Sequence, residues 1–512
     1  MVERTGTNRM VEAEAGTQGN KSAEFAVEAN KATKAEERTR VNKATDAAAK
    51  AGVSEAKVVT EAGRPNFLFL FPDTHRGDWL PYPPDVLAGL GMEELPLRMP
   101  NLAALMASGV TFTRAVTPSP LCAPARACLA SGKRYEEAGV AGNHHNYDVA
   151  QRTFYSVLKE NGYRVGGVGK FDLTKATHWW GLDGWIPELG EMGFTDAVDN
   201  AGKIDAILSG KDSPKDPYMA YLYREGLADI HLKDMTGRGH LTHPTDLPDE
   251  AYCDNWLTRN GVSMLRNFPK EQPWFLMVNF TGPHEPWDIT HRMKREWADV
   301  AFPPPEGAQQ LAANSNEIRQ NYAAMLANID RNVGVLLDEV RRRGELERTV
   351  VIYASDHGDM LGDYDKWGKC KPERGSVSIP LVISGPDIVH GEIRDTLVEL
   401  QDVGATILDL AGGLQMPKGA DAVSLRRVLS GEAQDTRTMQ VAGLDEGPQH
   451  PSAWRVAANK VWKLIVERDR PDRLYHVQED PWERRNVAED HPGVVAELKA
   501  VLPVRWAEGE AE

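Results

Sequence analysis

The 512-residue chain is poor in cysteine and in long apolar runs, and its 59 basic residues are outnumbered by 75 acidic ones. Its four cysteines, Cys122, Cys128, Cys253 and Cys370, form no C-x-x-C pair and no dense spacing. This scatter argues against a disulfide framework and indicates a reducing compartment. A formal net charge of -16 excludes a protein that binds nucleic acid or an anionic membrane through its overall field. Any bound anion must therefore be held by a local basic pocket.

The chain also lacks a stretch of ~18 apolar residues that could form a membrane helix, and its N-terminus lacks the apolar core of a signal peptide. We therefore expect a cytoplasmic protein with no membrane partner. Apolar residues make up 41% of the chain, which is enough for a large core in an enzyme-sized body.

Residues 1–60 alternate Ala, Glu, Lys and Thr and contain almost no aromatic residue. This composition is typical of a disordered or loosely helical extension. The alternative is a helix that binds a partner or a second copy of the chain, so a homo-oligomer stays open.

Continuous apolar runs of strand length occur at residues 66–71, 273–280, 349–355 and 379–386. Such runs are typical of strands buried on both faces, as in a parallel sheet. Between them, residues 321–343 carry apolar side chains at helical spacings of three and four and end on a basic turn followed by glycine. The alternation of strand and helix predicts a doubly wound α/β sheet, in which ligands bind beyond the strand ends.

Three of these predicted strands are followed by carboxylate or imidazole side chains. Asp73 follows the first strand, His284 the second, and Asp356 with His357 the third. Carboxylates that converge at one sheet edge favour a hard, oxygen-binding cation such as calcium or magnesium. The alternative is that Asp73 and Asp356 cap the helices that follow them.

Five segments in a fixed order carry a family resemblance: FLFPDTHRGDW, LCAPARACLASGKRY, VGGVGKFDL, TGPHEPW and YASDHGDMLGDYDKWGK. The ordered set, with the tail up to about residue 505, resembles the formylglycine-dependent sulfatase family of the alkaline-phosphatase-like superfamily. The resemblance implies a large mixed, mostly parallel sheet flanked by helices. It places the catalytic α/β domain at 61–435 and a smaller α+β subdomain, with a small sheet and a terminal helix, at 436–512.

The resemblance implies that Cys122 is oxidised to Cα-formylglycine by a formylglycine-generating enzyme that reads Pro124 and Arg126. The hydrated aldehyde is a diol: one hydroxyl attacks sulfur, and the second, once deprotonated, expels sulfate and restores the aldehyde. A thiol cannot do this. The implied activity is hydrolysis of a sulfate ester to alcohol and inorganic sulfate, with a sulfated small molecule or carbohydrate as substrate.

The metal ligands implied by the resemblance are Asp73, Asp356 and His357, with the modified Cys122 completing the set. Thr74 stands where the family often has a second Asp, Asn or Gln, so it either coordinates through a neutral oxygen or leaves that place to water. We expect one divalent cation, with Ca²⁺ ahead of Mg²⁺ and Mn²⁺.

The resemblance also assigns the remaining catalytic residues. Arg126 would hold the diol, Lys170 and Lys369 would bind sulfate oxygens, and His284 would protonate the departing alcohol or steady the sulfate. The lysines could equally be solvated loop charges. Asn143 matches an asparagine of some sulfatases and phosphonate hydrolases, which suggests a place beside the substrate.

Asp172 departs from the family pattern, because many sulfatases have histidine in the Gly-Lys-aromatic-x-Leu segment. We expect it to pair with Lys170 or another basic group, or to contact a cationic or hydroxyl-rich part of the substrate; an outward-facing loop aspartate is the alternative. Trp179, with Trp180 and Trp185, could stack on a sugar ring or surround a quaternary ammonium, or form a small core of its own.

Two alternative functions fit the same segments. One is a phosphonate monoester or phosphodiester hydrolase on the same scaffold with the same nucleophile. The other is a non-catalytic glycan-binding relative, against which the presence of Cys122, Arg126 and both lysines argues.

Overall fold

The computed structural model describes residues 63–210, 213–447, 453–503 and 506. The predicted extension at residues 1–60 lies outside these ranges. Within them, an eight-stranded sheet has the order β4-β3-β5-β1-β6-β7-β2-β8. Its strands, β1 to β8, are Asn66–Asp73, Gly109–Val116, Arg164–Gly169, Asp196–Asp199, Trp274–Pro283, Thr349–Ala354, Leu381–Ser384 and Glu392–Glu399.

Every neighbouring pair in this sheet is parallel except the two pairs that involve β7, which runs antiparallel to β6 and to β2. The mixed, mostly parallel sheet predicted from the sequence is therefore confirmed. The predicted strand at 379–386 is present, but it is shorter and runs against its neighbours.

The apolar run at the start of β1 serves two cores at once. Phe67, Phe69 and Phe71 lie in one hydrophobic core, whereas Leu68 and Leu70 lie in the core on the other face of the sheet. Because successive side chains of a strand point to opposite faces, a strand covered on both sides needs apolar residues throughout.

Helices cover both faces of the sheet, and the longest is the helix predicted from residues 321–343. The α-helices α1 to α15 are Pro84–Gly89, Pro100–Ala107, Cys122–Ser131, Phe154–Glu160, Pro187–Met192, Gly202–Gly210, Pro217–Arg224, Ala228–Met235, Cys253–Asn267, His291–Trp297, Ser315–Arg342, Arg374–Val377, Asp402–Leu410, Arg426–Leu429 and Pro492–Lys499. None of them, within the described ranges, is both long enough and apolar enough to cross a membrane.

A second, antiparallel sheet of four strands follows near the C-terminus, in the order β12-β11-β10-β9. Its strands, β9 to β12, are Gln440–Leu444, Trp454–Ala458, Trp462–Glu467 and Arg473–His476. Helix α15 contributes Leu498 to the small core on this sheet. A small sheet and a terminal helix are thus present as expected, while the domain boundary between residues 435 and 436 stays a prediction.

The order of the main sheet positions the candidate site. Strands β3, β5, β1 and β6 are adjacent and parallel, so their carboxyl ends lie at one edge. At this edge β1 ends on Asp73, Lys170 follows β3, His284 follows β5, and Asp356 lies two residues beyond β6.

Candidate active site

Cys122 is the first residue of helix α3 and is buried. Its Sγ lies 3.0 Å from Nζ of Lys369, 3.4 Å from Nζ of Lys170 and 3.5 Å from Nε2 of His357. Burial and the charge of Asp73 raise the pKa of the Cys122 thiol, but the two lysines outweigh them and hold the pKa well below its usual value. The thiol therefore occupies a strongly electropositive position, unlike the buried and inert Cys128.

Asp73, Cys122, Asp356 and His357 form a cluster whose ligand atoms all lie within 4.8 Å of one another, and all four residues are buried. Nδ1 of His357 lies 2.9 Å from the carbonyl oxygen of Gly358, so this nitrogen carries the proton. The lone pair of Nε2 is then free to bind a metal. Two carboxylates and one imidazole in this arrangement fit a divalent cation.

The predicted alternative that Asp73 and Asp356 are helix caps is wrong. Asp73 is the last residue of β1 and no helix starts directly after it, and Asp356 lies in a loop. Oδ1 of Asp356 accepts hydrogen bonds from the backbone N–H groups of Thr74 at 3.0 Å and His357 at 2.9 Å. These bonds hold the carboxylate in place against the end of β1.

Thr74 adopts a φ of 69°, which is rare for a β-branched residue and turns the chain sharply after β1. Its hydroxyl donates to Oδ1 of Asp73 at 2.6 Å. The hydroxyl thus orients an expected ligand, and coordination by Thr74 itself stays a prediction.

The guanidinium of Arg126 lies between the carboxylates of Asp73 and Asp356 and contacts both. Nη2 lies 3.0 Å from Oδ2 of Asp73 and 2.9 Å from Oδ2 of Asp356, and Nη1 donates to Oδ1 of Asn279 at 3.1 Å. Nη1 also donates to the carbonyl oxygen of Lys170. Burial raises the pKa of Asp73, but Lys170, His284, Arg126 and Lys369 together hold it well below its usual value. Both carboxylates therefore have cationic partners within hydrogen-bonding distance.

Asp172 is buried between two ammonium groups, 3.2 Å from Nζ of Lys170 and 2.9 Å from Nζ of Lys175. Its predicted ion pair with Lys170 is confirmed, and the outward-facing alternative is wrong. Lys170 also lies 2.6 Å from Oδ2 of Asp73, while Lys175 lies 2.7 Å from Asp205 on helix α6. The negative charge that Asp172 introduces in place of the usual histidine is therefore compensated by Lys175, three residues later.

His284 and Lys369 meet at the open side of Cys122. Nε2 of His284 lies 2.5 Å from Nζ of Lys369, and Nδ1 lies 2.5 Å from the carbonyl oxygen of Glu285. The carbonyl can only accept, so Nδ1 carries a proton and Nε2 accepts from the lysine.

Comparison of the chain with known proteins identifies its family. Residues 65–414 match the family model described as Sulfatase. The chain belongs to the sulfatase family. It is similar to a choline-sulfatase of Rhizobium meliloti, with 28% identity over 88% of each chain, and to an arylsulfatase of Clostridium perfringens, with 23% identity over 88% of this chain and 95% of the relative.

Solved structures show the same fold. The structure of a phosphonate monoester hydrolase of Agrobacterium radiobacter matches with a TM-score of 0.69 and 20% identity, over 85% of this chain and 94% of that one. The alkaline-phosphatase-like fold and the enzyme class predicted from the sequence, a sulfuric ester hydrolase, are thus confirmed. The family implies a divalent metal and a formylglycine, and the Asp73–Cys122–Asp356–His357 cluster is able to hold such an ion.

In this sulfatase a cavity of about 210 Å³ opens onto Cys122. It brings together the predicted Lys170, His284, Lys369 and Asn143, whose Oδ1 accepts from the backbone N–H of Ala123 at 3.0 Å. Four charged residues that the sequence analysis did not assign to the site also line it: Lys175, Lys203, Asp205 and Glu285.

The tryptophans behave differently from one another. Trp179 is 44% exposed and does not line this cavity, so the structure does not bring it to the site. Trp180 is buried in the core, and Trp185 is 37% exposed. Core packing thus accounts for one of the three.

Proposed function

We propose that this enzyme hydrolyses a sulfate ester to an alcohol and inorganic sulfate, with Cys122 converted to formylglycine as the nucleophile. The observation that carries the proposal is the surroundings of Sγ: two ammonium groups and the His357 imidazole within 3.5 Å, beside the carboxylates of the metal-binding cluster. A formylglycine-generating enzyme that reads Pro124 and Arg126 would be required during maturation.

Asp73, Asp356 and His357, with residue 122, would hold one divalent cation, and the oxygen-rich ligand set favours Ca²⁺. When bound, the cation would withdraw negative charge from the sulfate oxygens as charge develops around sulfur. Arg126 acts here as a positioning residue, because its hydrogen bonds go to Asp73, Asp356, Asn279 and the backbone of Lys170. These contacts support a role in holding the carboxylates more directly than the role in holding the diol that the resemblance implies.

Lys170 and Lys369 flank Sγ on two sides and would bind the sulfate oxygens of the substrate. Their ammonium groups would hold the sulfur atom in front of residue 122 and exclude water from the space between them. With the unmodified thiol, burial lowers the pKa of Lys369, but the charges of Cys122 and Asp73 outweigh it and raise the pKa above its usual value.

The His284–Lys369 pair would deliver the proton that the departing alcohol needs. The pair carries one positive charge: the ammonium of Lys369 donates to Nε2 of the neutral His284 across 2.5 Å, and transfer of this proton would leave a neutral amine and an imidazolium. Either atom is then able to donate to the alkoxide as the S–O bond breaks.

A phosphonate monoester hydrolase is the second candidate, favoured by the structural match to a protein of that description. The discriminating experiment compares kcat/KM for nitrophenyl sulfate with that for the nitrophenyl ester of phenylphosphonate, using protein whose residue 122 is shown to be formylglycine. The proposal expects the sulfate to be the better substrate. A clear preference for the phosphonate would change the assigned reaction to phosphonate ester hydrolysis and leave the assigned nucleophile unchanged. No turnover of either substrate would favour a glycan-binding relative.

A further inference from the structure

We infer that Glu285 selects sulfate esters whose alcohol part carries a positively charged nitrogen. The inference rests on the proposed function, because it places the sulfate group between Lys170 and Lys369 and the alcohol further out in the same cavity. Glu285 is the residue between His284 and Pro286 in the segment that follows β5, and it lines the cavity.

The other ionisable side chains that line the cavity already have partners. Lys170 and Lys175 contact Asp172, and Lys175 also contacts Asp205. Lys203 lies 2.5 Å from Oδ1 of Asp288. Lys369 contacts both Cys122 and His284, as described above.

Glu285 differs from them, because within the described part of the chain its carboxylate has no hydrogen bond and no ion pair. The side chain is half-buried, so water solvates its charge only in part. A carboxylate in this position gains free energy when a cation binds beside it.

The backbone that carries this carboxylate is fixed on both sides. Nδ1 of His284 binds the carbonyl oxygen of Glu285, and Nζ of Lys203 donates to the carbonyl oxygen of Pro286 at 2.7 Å. The side chain of Trp287, the next residue along, is fully buried. The backbone at Glu285, and with it the point from which the side chain extends beside His284, is thus fixed before the substrate binds.

No Phe, Tyr or Trp side chain of the described part of the chain lines the cavity, so the cation would be bound by the carboxylate and not by an aromatic cage. A primary ammonium group, which donates hydrogen bonds, suits this arrangement. The probe pair is therefore 2-aminoethyl sulfate and propyl sulfate, which have the same shape and differ in an ammonium against a methyl group.

The experiment measures kcat/KM for both sulfates with the enzyme, with Glu285→Gln and with Glu271→Gln, which makes the same change at an exposed residue outside the cavity. The readout is the ratio of aminoethyl to propyl sulfate, because comparing this ratio between variants cancels the intrinsic difference between the two leaving groups. Glu285→Gln should lower it about tenfold, the loss of one ion pair of moderate strength. Glu271→Gln and the charge-preserving Glu285→Asp should keep most of the preference.

Turnover of nitrophenyl sulfate shows that each variant is folded and active. An unchanged ratio in Glu285→Gln overturns the inference, and an equal fall of kcat/KM on both substrates would indicate that Glu285 acts through His284 instead. A wild-type enzyme that hydrolyses nitrophenyl sulfate but not aminoethyl sulfate also overturns it. Failure to hydrolyse any sulfate ester contradicts the proposed function instead.

Discussion

The ammonium of Lys175 lies 2.9 Å from Oδ2 of Asp172, three residues earlier in the chain. Both residues are buried, and the same carboxylate oxygen lies 3.2 Å from Nζ of Lys170. One carboxylate thus compensates two ammonium groups, one of which lies against Cys122. The pair explains how a chain with aspartate where many sulfatases have histidine keeps Lys170, the lysine proposed to bind sulfate, in place.

Asp172→Asn should therefore destabilise the fold as well as the site. Lys170 keeps Asp73 and Lys175 keeps Asp205 as partners, so the cost should be smaller than the about 3–5 kcal/mol of a buried charge that is left with no partner. Urea unfolding measures the change in free energy of unfolding, with Asp299→Asn at an exposed position as the matched control. A variant with the stability of the control would show that Asp172 does not hold the two lysines.

Metal removal should lower both activity and melting temperature. The carboxylates of Asp73 and Asp356 lose a divalent partner but keep Arg126, so we expect a partial loss of stability and no global unfolding. For a metal at a hundredfold excess over its Kd the loss is about 3 kcal/mol. Scanning calorimetry with and without a chelator measures it, and Asp356→Asn should abolish the chelator effect. An enzyme that is insensitive to chelation and contains no divalent ion by elemental analysis would contradict the metal assignment.

His284→Ala should impair poor leaving groups more than good ones. Nitrophenolate leaves as an anion, whereas an alkoxide needs a proton in the transition state. We expect kcat for an alkyl or sugar sulfate to fall by about one to two orders of magnitude more than kcat for nitrophenyl sulfate. Equal losses on the two substrates would place His284 on the sulfate group itself. Lys170→Met serves as the comparison, because Lys170 is proposed to bind sulfate and does not contact His284, so its loss should impair both substrates.

Cys122→Ala should abolish turnover and leave the fold intact. The substitution removes one buried sulfur atom at the start of helix α3, while Lys170 keeps Asp73 and Asp172 and Lys369 keeps its hydrogen bond to His284. Circular dichroism and the melting temperature should match the parent closely, whereas kcat should reach background. Substantial residual turnover would exclude residue 122 as the nucleophile.

The parts of the fold that the sequence predicts are those buried on both faces. β1, β5 and β6 are continuous apolar runs, and α11 has a clear helical repeat. By contrast, β3 has the sequence RVGGVG, which shows no such run. A Cβ added at Gly167 would lie 2.4 Å from the ring of Phe171, so the glycines are required by packing that the sequence alone does not display. The antiparallel direction of β7 likewise depends on its neighbours in space.

The residues of the candidate site also fall into those that the sequence predicts and those that it does not. Asp73, Cys122, Lys170, His284, Asp356 and Lys369 belong to motif segments and lie together, as expected. Lys203 and Asp205 come from helix α6, about 30 residues beyond the nearest motif, and reach the cavity only through the tertiary fold. Lys175 could have been predicted from the sequence, since a buried aspartate in place of the family histidine requires a nearby cation. Glu285 lay inside a motif but at its variable position, where the family pattern specifies no residue.

The most direct test of the account is the mass of the peptide that contains residue 122, measured together with the activity of the same preparation. Coexpression with a formylglycine-generating enzyme should convert the Cys122 thiol to an aldehyde, and sulfatase activity should rise in proportion to the converted fraction across preparations. Full activity in protein whose residue 122 is entirely an unmodified thiol would contradict the assignment of formylglycine at this position as the nucleophile.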